Sequence, residues 1–336
     1  MNKKKILQWT ALVLSLLMLC LIIGTASLCI GATDISLKRV LRVLLEGKGT
    51  AEYSILVNIR LPRIILGLAV GGALSLAGAI LQGIFRNPLV EPYTLGISGG
   101  AALGVSVTIV FKLYHFFGVM AYPMSGFLGA AFIIFFVYSL SSKRGIMKIQ
   151  GMLLTGVMIS FISSSIIMLI MALSKSEDIH GIVFWQMGSL DEPNLYLILV
   201  TVGCSLLGLV LSYFFCLDLN AFALGEEAAA HLGINVERTK LLLFLIASML
   251  TGLSVSVAGI IGFVGLVVPH VIRIFTGPDH RILFIASFLA GAAFLIFCDT
   301  LARTIIAPIE LPVGVITGII GGLAFIIILN KRAVRL

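Results

Sequence analysis

The chain has 336 residues, of which 60% are hydrophobic and 11% charged, with a formal net charge of +8. A soluble domain is about a quarter charged, so a mean hydropathy of +1.15 excludes a soluble enzyme, a disordered chain and a secreted disulfide scaffold. One span takes roughly 20 apolar residues, so the composition predicts an all-α polytopic membrane protein of about ten transmembrane helices.

In chain order, Met1-Asn2-Lys3-Lys4-Lys5 precedes an apolar run from Ile6 to Ala32. A signal-peptide core is only about 7–15 residues long, so this run reads as a first, retained span. Further spans are predicted near 61–85, 93–111, 118–140, 151–173, 194–216, 239–258, 260–276, 282–302 and 313–330, with 260–276 interrupted by Pro269, His270 and Arg273. The whole chain, 1–336, reads as one transmembrane domain. An even number of spans places both termini on one side, and the basic residues make that side cytoplasmic. It would hold Lys3, Lys4, Lys5, Arg86, Lys143, Arg144, Lys148, Arg238, Lys240, Arg273, Arg281, Lys331, Arg332 and Arg335. The outer side would hold Lys38, Arg39, Arg42, Lys48, Arg60, Arg63, Lys112, Lys175 and Arg303, with an acidic loop 174–193. The positive charge therefore reports orientation in lipid. No basic stripe with interleaved aromatics points to nucleic acid. The five cysteines lie in apolar runs without a CxxC pair and read as core residues.

A shift of about 181 positions pairs Gly71 with Gly252, Ser75 with Ser256, Gly78 with Gly259, Pro88 with Pro269 and Gly96 with Gly277, the pattern of an inverted repeat.

Five segments could carry function. Arg60-Leu61-Pro62-Arg63 opens a span, its proline suited to a helix start; the arginines either anchor the helix at the headgroups or form a cationic outer rim. Leu81 to Ala101, with Asn87, Pro88, Leu89, Gly96, Ser98 and Gly99, breaks one helix and starts another. It is either a tight turn or a constriction on a pathway. The loop 218–237 reads as one or two short helices, with Glu226 and Glu227 suited to a first turn, His231 to a last turn and Gly233 to a stop. Such helices cannot bury a core alone, and their Ala-rich acidic face predicts a protein partner. The stretch Gly259–Arg273 followed by Gly277-Pro278-Asp279-His280-Arg281 offers two histidines but no third ligand at usable spacing, so no metal is expected. Asp299 and Arg303, four apart, can form a structural pair or belong to a proton relay. No GxxxxGK[ST], HExxH or Gly-x-Ser-x-Gly motif occurs.

These segments, in this order, resemble the FecCD family. The resemblance rests on RLPR (60–63), GGALSLAGAILQGIFRNPLVEPYTLGISGGA (71–101), LGEEAAAHLGINV (224–236), GIIGFVGLVVPHVIR (259–273), GPDHR (277–281) and ELPVGVITG (310–318). It implies the type II permease fold of ABC importers for iron chelates, haem and vitamin B12. The chain would then be no enzyme itself. Its implied partners are a second permease subunit, two ATPase subunits that bind ATP and Mg, and an external binding protein. The resemblance implies that Leu224, Gly225, Glu226, Glu227, Ala228, His231, Leu232 and Gly233 seat in the ATPase, and that Arg60, Arg63 and Arg303 receive acidic residues of the binding protein. It also implies that Asn87 and Leu89 match the inner-gate region, and with Pro88, Gly96, Ser98 and Gly99 they are the expected translocation-pathway or gate residues. The expected activity is import of an iron–siderophore by alternating access, with haem, cobalamin or an oxyanion as other cargoes. An ion-coupled secondary carrier is the rival class, and would need buried ionisable groups on several spans.

Overall fold

The computed structural model describes residues 3–333 except Ala32, Lys48, Arg144, Gly145 and Lys148. Lys48, Arg144, Lys148 and Arg335, expected at membrane edges, lie outside the described residues. The described chain is a bundle of helices: α1 (Lys3–Cys29), α2 (Leu37–Glu46), α3 (Ala51–Ser54), α4 (Leu61–Phe85), α5 (Ile97–Val110), α6 (Tyr114–Phe117), α7 (Ala121–Ser141) and α8 (Ile149–Leu173). They continue with α9 (Ser176–Gln186), α10 (Leu195–Tyr213), α11 (Cys216–Phe222), α12 (Glu226–His231), α13 (Val236–Ala258), α14 (Val264–Thr276), α15 (His280–Thr304) and α16 (Val313–Ala333). Among the described residues, 7 helices are long and apolar enough to span a membrane, and Ile97–Val110, Val264–Thr276 and Val313–Ile328 are shorter apolar helices. The predicted 61–85 coincides with α4. A π-helical turn, Ile55–Arg60, joins α3 to α4 without a break.

The bundle is organised around α4. Its apolar window is 83% buried, against 11% for α1. Lipid tails give helices no hydrophobic drive to associate, so close packing must supply it, and small residues allow the approach. On α4, Gly71 lies against the carbonyl of Gly291 on α15, and Gly78 against that of Gly265 on α14. A Cβ at either position would overlap backbone. Leu76, Ile80 and Ile84 of α4 share one apolar cluster with Leu243 and Phe244 of α13 and Phe284 and Phe288 of α15. A second pair repeats the device, with Gly100 of α5 against Gly129 of α7.

Three features depart from the sequence reading. First, residues 176–186 of the acidic loop are helical, because Glu177 and Asp178 occupy the first turn of α9 and Ile182 is buried beneath it. Second, α2 was not anticipated; its Val40 and Val43 bury against Ile35 and Leu56 while Lys38, Arg39 and Arg42 stay exposed. Third, the span expected at 260–276 is α14 alone. At about 20 Å it is shorter than the hydrocarbon layer, and 259–263 is an irregular entry in which Phe263 adopts φ +68°. The 181-residue shift is also only partly reproduced, since Gly78 is mid-helix whereas Gly259 ends α13.

Gly78→Leu forces α14 away from α4 and is expected to destabilise the bundle by about 1–3 kcal/mol. Gly203→Leu, where a Cβ meets nothing within 4 Å, should leave the thermal midpoint in detergent unchanged.

Candidate functional site

One end of the bundle is built from α11, α12 and the starts of α13 and α15. After α10 the chain turns at Phe214-Phe215 and forms two short helices, as the Glu, His and Gly positions suggest: Glu226 and Glu227 sit in the first turn of α12, His231 in its last turn, and Gly233 follows at φ +85°. Leu224 is 72% and Leu232 66% exposed, and Glu227, His231 and Gly233 are exposed beside them. Gly225 takes φ +115° at the N-cap, a conformation that glycine adopts without steric cost, and Ala228 is half-buried. Glu226 departs from the expected outward face. It turns in to the buried Lys240 of α13 at 2.6 Å, and Glu237 joins the same ammonium at 3.3 Å.

Behind this loop lies a cavity of about 230 Å³ lined by Gln82, Gly83, Arg86, Pro88, Leu219, Ala223, Arg273, Pro278 and His280. Lys5 of α1 pairs with Asp279 at the same end, at 3.5 Å. Lys5, Arg86, Lys240, Arg273 and Arg281 therefore gather at one end of the molecule. Asp279 caps α15 by accepting from Arg281 N. The Arg281 guanidinium beside it, 2.7 Å away, holds its carboxyl below the ordinary carboxylate range.

The two segments singled out as broken helices meet each other. Tyr93 Oη donates to Ile261 O at 2.9 Å and accepts from Ile261 N at 3.2 Å. Glu91 Oε1 accepts from Phe263 N at 2.8 Å. Gln82 Nε2 donates to the carbonyls of Gly265 and Leu266. The irregular backbone before α14 is thus satisfied by side chains from the first half of the chain, as a non-aqueous interior demands. Asn87 Oδ1 accepts from Leu89 N at 2.9 Å, closing the turn; Pro88 lines the cavity behind the α11–α12 loop, and Leu89 is 52% exposed. Gly96, at φ +80°, starts α5 where a side chain would meet Gly156 O of α8. Gly99 packs on Ser163 of α8, with Ser98 half-buried beside it.

At the opposite end lie the three arginines expected to form a cationic rim. Arg60, Arg63 and Arg303 are 3%, 6% and 5% exposed. The Arg60 guanidinium donates to the carbonyls of Leu28 and Thr33, tying down the end of α1. Arg63 pairs with Glu310 at 2.7 Å and Asp191 at 3.3 Å, residues that are themselves half to two-thirds exposed. Arg303 pairs with Asp299 at 2.9 Å and donates to Ser27 Oγ at 2.7 Å. The i,i+4 structural pair anticipated at Asp299–Arg303 is present. A charge at the low-dielectric end of a helix bundle is held by partners or not at all, and for Arg63 these partners come from loops remote in sequence. Next to Asp191 opens a cleft of about 520 Å³, lined also by Tyr114, Tyr122, Trp185, Glu192 and Gly259. Among the described residues, no group of three or more His, Cys, Asp or Glu could hold a metal ion.

Asp299→Ala leaves Arg303 buried and unpaired and should cost about 3–5 kcal/mol, whereas Asp299→Leu with Arg303→Met should recover most of it. Thermal unfolding of the two variants in detergent measures the difference.

Residues 17–331 match the model of the FecCD transport family. The hemin transport system permease protein HmuU of Yersinia pestis is 38% identical over 323 residues, covering 95% of this chain and 96% of that protein. The cobalamin import system permease protein BtuC of Halobacterium salinarum is 39% identical, covering 83% of this chain and 74% of that one. A solved metal-chelate type ABC transporter chain in an inward-facing conformation superposes with a TM-score of 0.84 at 29% identity, covering 96% of this chain and 99% of that chain. With that fold and nearly the full length matched, the chain belongs to the FecCD transport family of ABC importer permeases.

Proposed function

We propose that this permease carries a metal chelate, with a ferric siderophore as the working cargo, from an external binding protein to the cytoplasm by alternating access. Two ATPase subunits, which bind ATP and Mg, drive it from the inner end. A second copy of this chain completes the pathway within the lipid bilayer, and both termini lie on the cytoplasmic side. The observation that carries this reading is the α11–α12 loop, an exposed pair of short helices with Leu224 and Leu232 uncovered on a family member whose relatives are ABC permeases. Solvent-facing leucines on so small an element call for a protein surface. The half-buried Ser98 and Gly99, packed on α8, support a gate between α5 and α8.

The external binding protein docks at the opposite end, at the corner held by Arg60, Arg63 and Arg303. Because these arginines are already paired, docking there proceeds by carboxylate exchange: an acidic residue of the binding protein displaces Glu310 or Asp191 from Arg63. Charge-assisted guanidinium contacts of this kind position a partner well.

Leu224→Glu with Leu232→Glu should abolish co-purification of the ATPase subunits and of ATP hydrolysis while the chain still inserts. Retention of both would sink the assignment of this loop. Uptake that collapses with the proton gradient and ignores ATP would point to a secondary carrier instead. Binding measurements on the cognate binding protein with ferric siderophores, haem and cobalamin identify the cargo.

For docking, Arg63→Met should weaken binding-protein association about tenfold, the effect of losing a buried interfacial arginine. Glu310→Gln with Asp191→Asn should strengthen it, and steepen its salt dependence, by leaving Arg63 unopposed. Surface binding kinetics on the reconstituted complex decide between these outcomes.

A further inference from the structure

Displacement of the α11–α12 loop is useful only if it reaches the helices around the pathway. Locally the loop is loosely built. Gly225 and Gly233 both have positive φ, and a Cβ added to either would meet nothing within 4 Å. Left to its own packing, it could rock on the bundle and absorb any push. Three polar ties prevent this, and none uses the outward-facing residues.

The first tie runs from α11 to α15. Asn220 Nδ2 donates to Asp279 Oδ1 at 3.0 Å. Asn220 Oδ1 accepts from His280 N at 2.9 Å, and lies 2.8 Å from His280 Nδ1. Since a carbonyl oxygen only accepts, His280 Nδ1 is the protonated ring nitrogen there. One amide thereby holds the cap residue and the first residue of α15. The second tie runs from α11 to α13, where Thr239 Oγ1 donates to Asp218 Oδ2 at 3.1 Å. The third runs from α12 to α13 through the ion pair of Lys240, 2% exposed, with Glu226. Both receiving helices pack directly on α4. The end of α4 is also wedged into the joint, because Gly83 faces His280 Nε2 and Leu219 of α11.

We propose that Asn220 and Lys240 are positioning residues that make α11, α12 and the inner ends of α13 and α15 one rigid body, so that force from the ATPase passes into the α4 core. The inference rests on the reading of α11–α12 as the ATPase seat. It adds that the efficiency of coupling is set by side chains that never touch the ATPase. Buried, charge-assisted hydrogen bonds suit this role, because they are short, directional and costly to leave unmade.

The test uses the whole complex in proteoliposomes, with the cognate external binding protein, free of cargo, as the probe. Its stimulation of ATP hydrolysis must cross the same joint from the opposite face. Asn220→Leu and Lys240→Met remove the first and third ties at near-constant volume. Thr239→Val removes the second isosterically. The expected result is that the ATPase subunits still co-purify and basal hydrolysis is unchanged, while stimulation by the binding protein falls about fivefold or more in Asn220→Leu and Lys240→Met, the usual scale of a coupling energy. Thr239→Val should show a smaller loss. Unchanged stimulation in assembled Asn220→Leu and Lys240→Met complexes overturns the proposal. Failure of all three variants to assemble also overturns it, since the ties would then serve folding alone. A wild-type chain that captures no ATPase would instead refute the seat itself, and that result appears before any variant is made.

Discussion

Close approach of α4 to its neighbours is the constraint on which the rest depends. Without a hydrophobic drive between helices in lipid, the bundle holds through backbone contact, and α4 presents glycine where α14 and α15 cross it. Such contacts are intolerant of added volume but also nearly featureless, so they permit sliding. What makes the bundle specific is a set of polar groups at the two ends of α4. At one end Gln82 satisfies two carbonyls in the first turn of α14, and Glu91 and Tyr93 satisfy the irregular backbone leading into it. Toward the other, Arg60 and Arg63 tie α4 to α1 and to two loops. The middle is greased and the ends are pinned, an arrangement suited to a protein that changes shape without losing its fold.

Much of this was legible from the residues. The span 61–85 is uniformly apolar and bounded by Pro62 and by Arg86-Asn87-Pro88, so α4 could be located closely. The short helices of the loop at 218–237 were visible in acidic, basic and glycine positions, because helix termini obey local electrostatics. α2 and α9 were missed because each is short and mixes charge with apolar residues, and neither gives the long uninterrupted run that marks a span. α14 was overextended because Gly259–Phe263 is apolar enough to look helical, while its actual conformation is dictated by Glu91 and Tyr93 far upstream.

The arginines teach a different lesson. Sequence shows that a residue is charged and near the end of a helix; it does not show what faces it. Glu310 and Asp191 lie 247 and 128 positions from Arg63, and only the fold brings them within an ion pair. The same holds for Lys240, whose burial could not be inferred from its place near Arg238 at a helix start. Asn220 carries no sequence signal of its own beyond lying in a loop that needs a partner. Its importance arises from the position of the α15 cap, which the motif Gly277-Pro278-Asp279-His280-Arg281 marked without saying what would read it.

The π-helical turn between α3 and α4 has a structural consequence of its own. Residues 51–85 form a continuous helix roughly 50 Å long at ordinary helical rise, against a hydrocarbon layer of about 30 Å. If α4 itself crosses the membrane, the segment carrying Glu52 and Tyr53 stands above the headgroups like a mast. A partner settling on that face would touch the far end of the central helix before it reached lipid. In that arrangement one helix would be both the packed centre of the bundle and a surface offered beyond the headgroups.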